Sequence, residues 1–277
     1  MIKFFRKIRQ RSIGDPPERN GSVQAGNRFS KYLLYAIGEI FLVVVGILIA
    51  LSLNSWKEER KEHQEELKTL QQLREEFKAN LVQLDEKISM RTAMVNAGIM
   101  LLEYHDNPST IIRDSVVVYL ARTTVAPTFD PITNDLISGG RLYLVQNLEL
   151  RSKLSKWPSD LVQVTEEEEA WISILRNNYL PYLYDHYPVR NITAAKWNRL
   201  DVVQTLLLDK TNTKRNVFST SKEQVDVNAF LANNELADLL STVISSSLFA
   251  KVQSESLRKD IVKILTLIDF ELKESDD

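Results

Sequence analysis

The sequence predicts an all-α membrane protein: a single N-terminal transmembrane helix continuing into a long stalk helix, followed by an extracytoplasmic helical bundle. Three observations predict it. Residues 32–53 read YLLYAIGEIFLVVVGILIALSL, 22 residues with one ionisable side chain. The polar stretch that follows contains neither Pro nor Gly until Gly98. The whole chain has only eight Gly and eight Pro in 277 residues, which points to long helices rather than turn-rich β structure.

The elements follow in order. Residues 1–31 form a basic tail expected in the cytoplasm, with eight Lys and Arg against Asp15 and Glu18, a surplus of six. Its first residues, MIKFFRKIRQ, pattern as a short amphipathic helix. Lys3, Arg6, Lys7, Arg9 and nearby Arg11 would contact the inner leaflet, each drawn to anionic lipid by about 1 kcal/mol. Residues 12–26 carry Gly14, Pro16, Pro17, Gly21 and Gly26 and read as a flexible link. The span itself rises about 33 Å at about 1.5 Å per residue, enough for a hydrocarbon core of about 30 Å. It is longer than a signal-peptide core, and 31 residues precede it, so it reads as an uncleaved anchor. Near the span, basic residues balance, three before and four after; the dense charge of residues 1–11 decides for a cytoplasmic tail.

Glu39 lies in the first third of the span. In one reading it sits shallowly and is held by water, headgroups or a neighbouring helix. In the other it is a functional intramembrane carboxylate, because charge at that depth otherwise marks ion or proton paths. One acidic group in an anchor ahead of an external domain resembles proton-driven motor subunits, but that likeness covers the anchor alone.

Residues 54–106 read as a stalk or first bundle helix. A heptad starting with Leu67 at position a places Leu70, Phe77, Leu81, Leu84, Ile88, Val95 and Leu102 on one seam, together with Arg74, Arg91 and Gly98. The pattern suits an intermolecular coiled coil or the first helix of an intramolecular bundle; the two Arg and the Gly favour the bundle. The break falls at Asn107-Pro108, and residues 107–277 form the external helical domain. Ser109 is a candidate N-cap for a helix to about Arg122, and Asp130-Pro131 for a helix ended by Gly139-Gly140. Asn147 caps the next helix, which is expected to stop at Trp157-Pro158. Another would run from about 159 to 184, kinked at Pro181. Residues 211–227 read as loose or short-stranded. Residues 233–274 form a long amphipathic helix with Leu236, Leu240, Val243, Val252, Ile261, Leu265, Ile268 and Leu272 as its core stripe.

The opening MIKFFRKIRQ, the junction FSKYLLYAIGEIFLVVVGILIALSLNSWKEER and the segment TNDLISGGRLYLVQNLELRSKL resemble the bacterial single-pass membrane proteins of domain-of-unknown-function family 6090. The likeness is strongest at the anchor, where the Gly38-Glu39 pair also occurs in the family, and runs over nearly the full length. It implies a membrane location and a helical external region, and the expected membrane is the bacterial inner one, with the tail cytoplasmic and the body extracytoplasmic. It implies no activity.

Chemistry-bearing motifs are sparse. There is no Cys, so disulfides and thiol nucleophiles are excluded. No phosphate-binding loop, His-Glu-x-x-His or Gly-x-Ser-x-Gly motif occurs. His63, His105 and His186 are isolated, and no metal or other cofactor is expected. Glu166, Glu167, Glu168 and Glu169 point in four directions on a helix and read as a solvated face. With the tail removed, the overall charge of -2 leaves an acidic body, which argues against nucleic acid. The turn Ser138-Gly139-Gly140-Arg141 reads as a helix break rather than an anion site. One cluster rises above background: Trp157, Trp171, Tyr179, Tyr182, Tyr184, Tyr187 and Trp197 fall within 41 residues, where even spreading of the chain's aromatics would place about three. They suit a helical core, a partner surface or a small-ligand pocket.

The expected function is that of a non-enzymatic, membrane-anchored envelope protein whose external domain binds a protein partner or self-assembles as a homo-oligomer. A partner-dependent ligand sensor and a proton- or ion-coupled assembly centred on Glu39 are the alternatives.

Overall fold

The computed structural model describes residues 25–132, 141–198, 207 and 219–274. The inner-leaflet segment with Lys3, Arg6, Lys7, Arg9 and Arg11, the link at 12–24, the turn at Gly139-Gly140 and residues 211–218 lie outside the described residues. The chain divides into two units, residues 1–61 and 62–277. Helix α1, Ala25–Asp106, contributes to both, and each is described by itself.

In the first unit the described chain is helical throughout. Apart from half-buried Val45, its large apolar side chains are exposed, from 46% at Val44 to 79% at Tyr35. This is the one described helix long and apolar enough to cross a membrane. Glu39 lies on it, exposed. Arg60 stacks over Trp56 at 5.6 Å, just beyond the apolar run.

The second unit is all helical where it is regular; its described residues contain no strand. After α1 come a 3-10 turn at Pro108–Thr110, α2 at Arg113–Thr123, a 3-10 turn at Arg141–Leu144 and α3 at Leu148–Ile174. A π turn, Leu175–Tyr179, leads into α4 at Leu180–His186 and α5 at Val189–Asn198. Helices α6, Val227–Leu231, and α7, Asn234–Glu274, complete it.

Two apolar clusters build the core. One gathers Leu70, Leu73, Phe77 and Leu84 of α1 with Leu150, Leu154, Trp157 and Val164 of α3 and Leu257, Ile261, Ile264 and Ile268 of α7. The other gathers Met94, Leu101 and Tyr104 of α1 with Trp171, Tyr179, Leu183, Phe230, Leu240 and Val243. The α1 seam is thus filled by the chain's own α3 and α7, as in an intramolecular bundle.

Several expectations need correction. The seam runs through Glu66, Leu70, Leu73, Phe77, Asn80, Leu84, Arg91, Met94, Gly98 and Leu101. Of the expected frame, Leu70, Phe77, Leu84, Arg91, Val95 and Gly98 are buried, whereas Leu67, Arg74, Leu81, Ile88 and Leu102 are only partly so. A helix facing two neighbours buries a stripe wider than a two-stranded seam, so apolar residues flank it on both sides.

Ile112, not Ser109, is the N-cap of α2, because Pro108–Thr110 first makes its own 3-10 turn. Helix α3 does not stop at Pro158; the proline lies inside it. A mid-helix Pro costs about 3 kcal/mol. Leu154, Trp157 and Val164, buried on either side of it, each contribute about 1.5–3 kcal/mol, which outweighs that cost. Asn147 does cap α3, accepting from Leu150 N at 2.9 Å. Pro181 falls in the first turn of the helix that follows a π turn, whose closing Leu180 N–H bonds to Leu175 O, five residues back.

Residues 125–132 are non-helical, Pro131 included; the rest of the helix expected up to Gly139-Gly140 lies outside the described residues. Core side chains partner several backbone groups of residues 125–132. Asn80 accepts from Ile132 N at 2.8 Å and donates to Ile132 O at 3.0 Å. Trp171 Nε1 donates to Val125 O at 3.0 Å. A non-helical segment against a helical core has no ladder of its own, so core side chains must supply these partners. On α7, Val252 is 55% exposed; Ser247, Ala250 and Ser254 occupy the buried stripe instead.

Candidate functional site

Two places in the second unit combine polar groups with shape: a buried polar layer and an open cleft.

The layer lies between the two apolar clusters on all three long helices, at Arg91 on α1, Glu168 on α3 and Ser247 and Ser254 on α7. Arg91 pairs with Glu168, both almost fully buried. It also donates to Ser254 Oγ at 2.7 Å and Pro127 O at 3.3 Å. Glu168 accepts from Phe129 N at 3.1 and 3.0 Å through its two oxygens. Of the four consecutive glutamates, then, Glu168 is not a solvated residue. It faces inward because α3 passes between the two clusters, and Arg91 and the Phe129 N–H give it partners there.

Burial pushes the Glu168 carboxyl up against the pull of Arg91 and the Phe129 N–H, and pushes the Arg91 guanidinium down against the pull of Glu168. Beside the pair is a cavity of about 10 Å³ lined by Met94, Trp171, Ser247 and Ala250 among others. That space is too small for a substrate. The layer holds the 125–132 segment to the helices, which is a structural task.

The cleft has a volume of about 470 Å³. Its far wall is α4 and the start of α5. Helix α4 ends because Tyr187 is extended, φ -147° and ψ 142°, ahead of Pro188, which disfavours helix in the residue before it. The π turn upstream adds a residue to one turn and so rotates the following side chains by about 100°. Its near wall is residues 223–226 and α6. Asp226 caps α6, accepting from Asn228 N and Ala229 N at 3.1 and 3.2 Å. The approach to that wall is tied to α5 by Arg190 Nε donating to Ser219 O at 2.7 Å and by Ser221 N donating to Asn191 Oδ1 at 2.7 Å. His105 on α1 meets Leu231 O at 2.7 Å and fixes the end of α6.

The aromatic cluster divides between core and cleft. Trp157 meets the edge of Phe77 with centroids 5.0 Å apart, inside the first apolar cluster. Trp171 and Tyr179 are core residues, and the Tyr179 hydroxyl shares a 2.8 Å hydrogen bond with Thr123 Oγ1. Burial pushes the Tyr179 hydroxyl well up, against the Thr123 hydrogen bond. Trp197 is half-buried and does not line the cleft. Tyr182, Tyr184 and Tyr187 do line it.

Tyr182 stacks on His186 at 4.2 Å, and Tyr187 meets Phe230 at 4.9 Å. The Tyr182 hydroxyl is buried without a well-formed hydrogen bond, with the Asn233 side chain beside it. Burial pushes the hydroxyls of Tyr182 and Tyr187 up, and nearby Glu235 adds to the effect at Tyr182. The sequence did not single out Asp185, Glu223, Asp226 or Phe230, which also line the cleft. Asp226 ahead of Val227 was the available signal, an N-cap residue before a short apolar run. Among the described residues no group of three His, Asp or Glu could hold a metal ion.

Comparison with known proteins adds one match. Residues 39–103 fit a family model described as "Family of unknown function (DUF6090)". The chain resembles that family. The match begins at Glu39 and covers the rest of the apolar span and most of α1; it is narrower than the full-length likeness expected, and residues 133–154 lie outside it. No curated protein and no solved structure matches the chain.

Proposed function

We propose that this chain is a single-pass protein of the bacterial inner membrane, with its basic tail in the cytoplasm and its helical body outside, and that it acts by binding a protein partner or a second copy of itself rather than by catalysis. The observation that carries this reading is the pairing of an apolar arm that buries none of its span with a body whose buried charges serve its own backbone. Fourteen Leu, Ile, Val and Phe side chains in residues 32–53 each favour the bilayer centre by roughly 0.3–0.6 kcal/mol, about 4–8 kcal/mol together. One charged side chain at mid-depth costs about 3 kcal/mol, so Glu39 does not prevent insertion.

The body's open cleft offers aromatic rings and carboxylates, groups suited to recognition. It also favours a second reading, a ligand sensor that works through a partner. Purification of the full chain in several mild detergents tests the first reading. The expected result is an oligomer or a co-purifying protein; a clean monomer with no partner in every detergent contradicts it.

A further inference from the structure

We propose that the cleft between α4 and α6 is a seat for an organic cation, a guanidinium or ammonium group on a short aliphatic stem. The proposal rests on the reading of the body as a binding domain and names the chemistry of its ligand. Three features converge. The described lining carries three carboxylates, Asp185, Glu223 and Asp226, and no Lys or Arg. Carboxylates of one sign around a concave surface with low-dielectric walls concentrate opposite charge there.

Tyr182, Tyr187 and Phe230 form an aromatic floor, each no more than 9% exposed. Aromatic faces attract organic cations, and more strongly when the site excludes water. A hydrated metal ion gains little from such a floor, and no metal-binding group of three forms among the described residues. The third feature is the size of the cleft. A volume of about 470 Å³ falls in the range of small-ligand sites. The acidic charge of the body draws cations toward it.

The cation can come from two sources, an Arg or Lys side chain of a protein partner or a free small amine. Isothermal titration of the full chain in lipid nanodiscs separates them with three probes: arginine amide, its neutral isostere citrulline amide, and the peptide acetyl-Gly-Gly-Arg-Gly-Gly-amide. Saturable binding of arginine amide or the peptide is expected, weakening as salt is raised. Citrulline amide should bind at least about tenfold more weakly. Binding of the peptide alone assigns a polypeptide ligand; equal binding of both assigns the cationic group itself.

The double variant Asp185→Asn, Glu223→Gln alters only exposed side chains, and unchanged thermal unfolding verifies its fold. It should lose at least about tenfold in affinity for the cationic probe. Silence of both cationic probes up to about 10 mM, citrulline amide binding as well as arginine amide, or full affinity in the double variant overturns the proposal. A partner that co-purifies equally well with the double variant overturns the cleft as its seat and leaves the broader reading in place. The absence of any partner from the wild-type chain overturns the broader reading whatever the cleft binds.

Discussion

Replacing Glu168 with leucine strands the Arg91 guanidinium in the polar layer, and the structure sets the size of the effect. Arg91 keeps Ser254 Oγ and Pro127 O but loses its paired carboxylate, and the Phe129 N–H loses its acceptor. Arginine cannot shed its proton, so the charge stays buried. Breaking a buried pair from one side costs about 3–5 kcal/mol.

Arg91→Met is the milder lesion. Glu168 keeps the Phe129 N–H and can take up a proton, toward which burial already pushes it. Its cost should shrink as pH falls from 7 to 5, by up to about 1.4 kcal/mol for each pH unit. The sign follows from the raised carboxyl: protonation relieves the unpaired charge, so acid favours the folded variant. Replacing both residues with apolar ones restores most of the loss, to within about 2 kcal/mol of the wild type. Urea unfolding of the full chain in detergent micelles, followed by far-UV circular dichroism at pH 7 and pH 5, measures all four proteins. Single-variant costs that simply add in the double variant, or an Arg91→Met cost that exceeds that of Glu168→Leu and ignores pH, would refute the argument.

Three further outcomes follow from the packing. At Gly98 an added Cβ would meet Ile244 Cγ1 at 2.6 Å. Gly98→Ala should therefore destabilise by about 1 kcal/mol net of its helix-propensity gain, and become stabilising in an Ile244→Ala background, as read by urea midpoints. The raised Tyr179 hydroxyl keeps its proton in the folded state while the unfolded chain ionises above pH of about 10, so stability should fall as pH rises beyond that; Tyr179→Phe should remove that part of the alkaline loss in a matched titration of unfolding free energy. Under the anchoring account Glu39→Gln leaves membrane integration and partner recovery unchanged, and loss of partner recovery in this variant would move the function into the span.

The parts of the fold that were legible in the sequence rest on local chemistry. The apolar run, the break before Pro108, the Asn147 cap and the long C-terminal helix each follow from a few adjacent residues. What was not legible depends on partners far away in the chain. Pro158 sits inside a helix because Leu154, Trp157 and Val164 are buried around it. Glu168 has the same local pattern as its three neighbours, and only the position of Arg91 and the 125–132 segment distinguishes it. Ser247 and Ser254 fall outside the expected apolar stripe of α7, yet the polar layer makes them part of the core. The cleft shows the same division: its tyrosines stood out by composition, whereas Glu223, Asp226 and Phe230 join them only through the return of the chain to α5.

Photo-cross-linking in intact cells tests the binding account most directly. An amber-encoded benzophenone at Tyr184, 66% exposed at the cleft, should give a discrete adduct with one partner or with a second copy of the chain, and the same group at exposed Glu75 should give none. No adduct from Tyr184, or the same diffuse pattern from both positions, would contradict it.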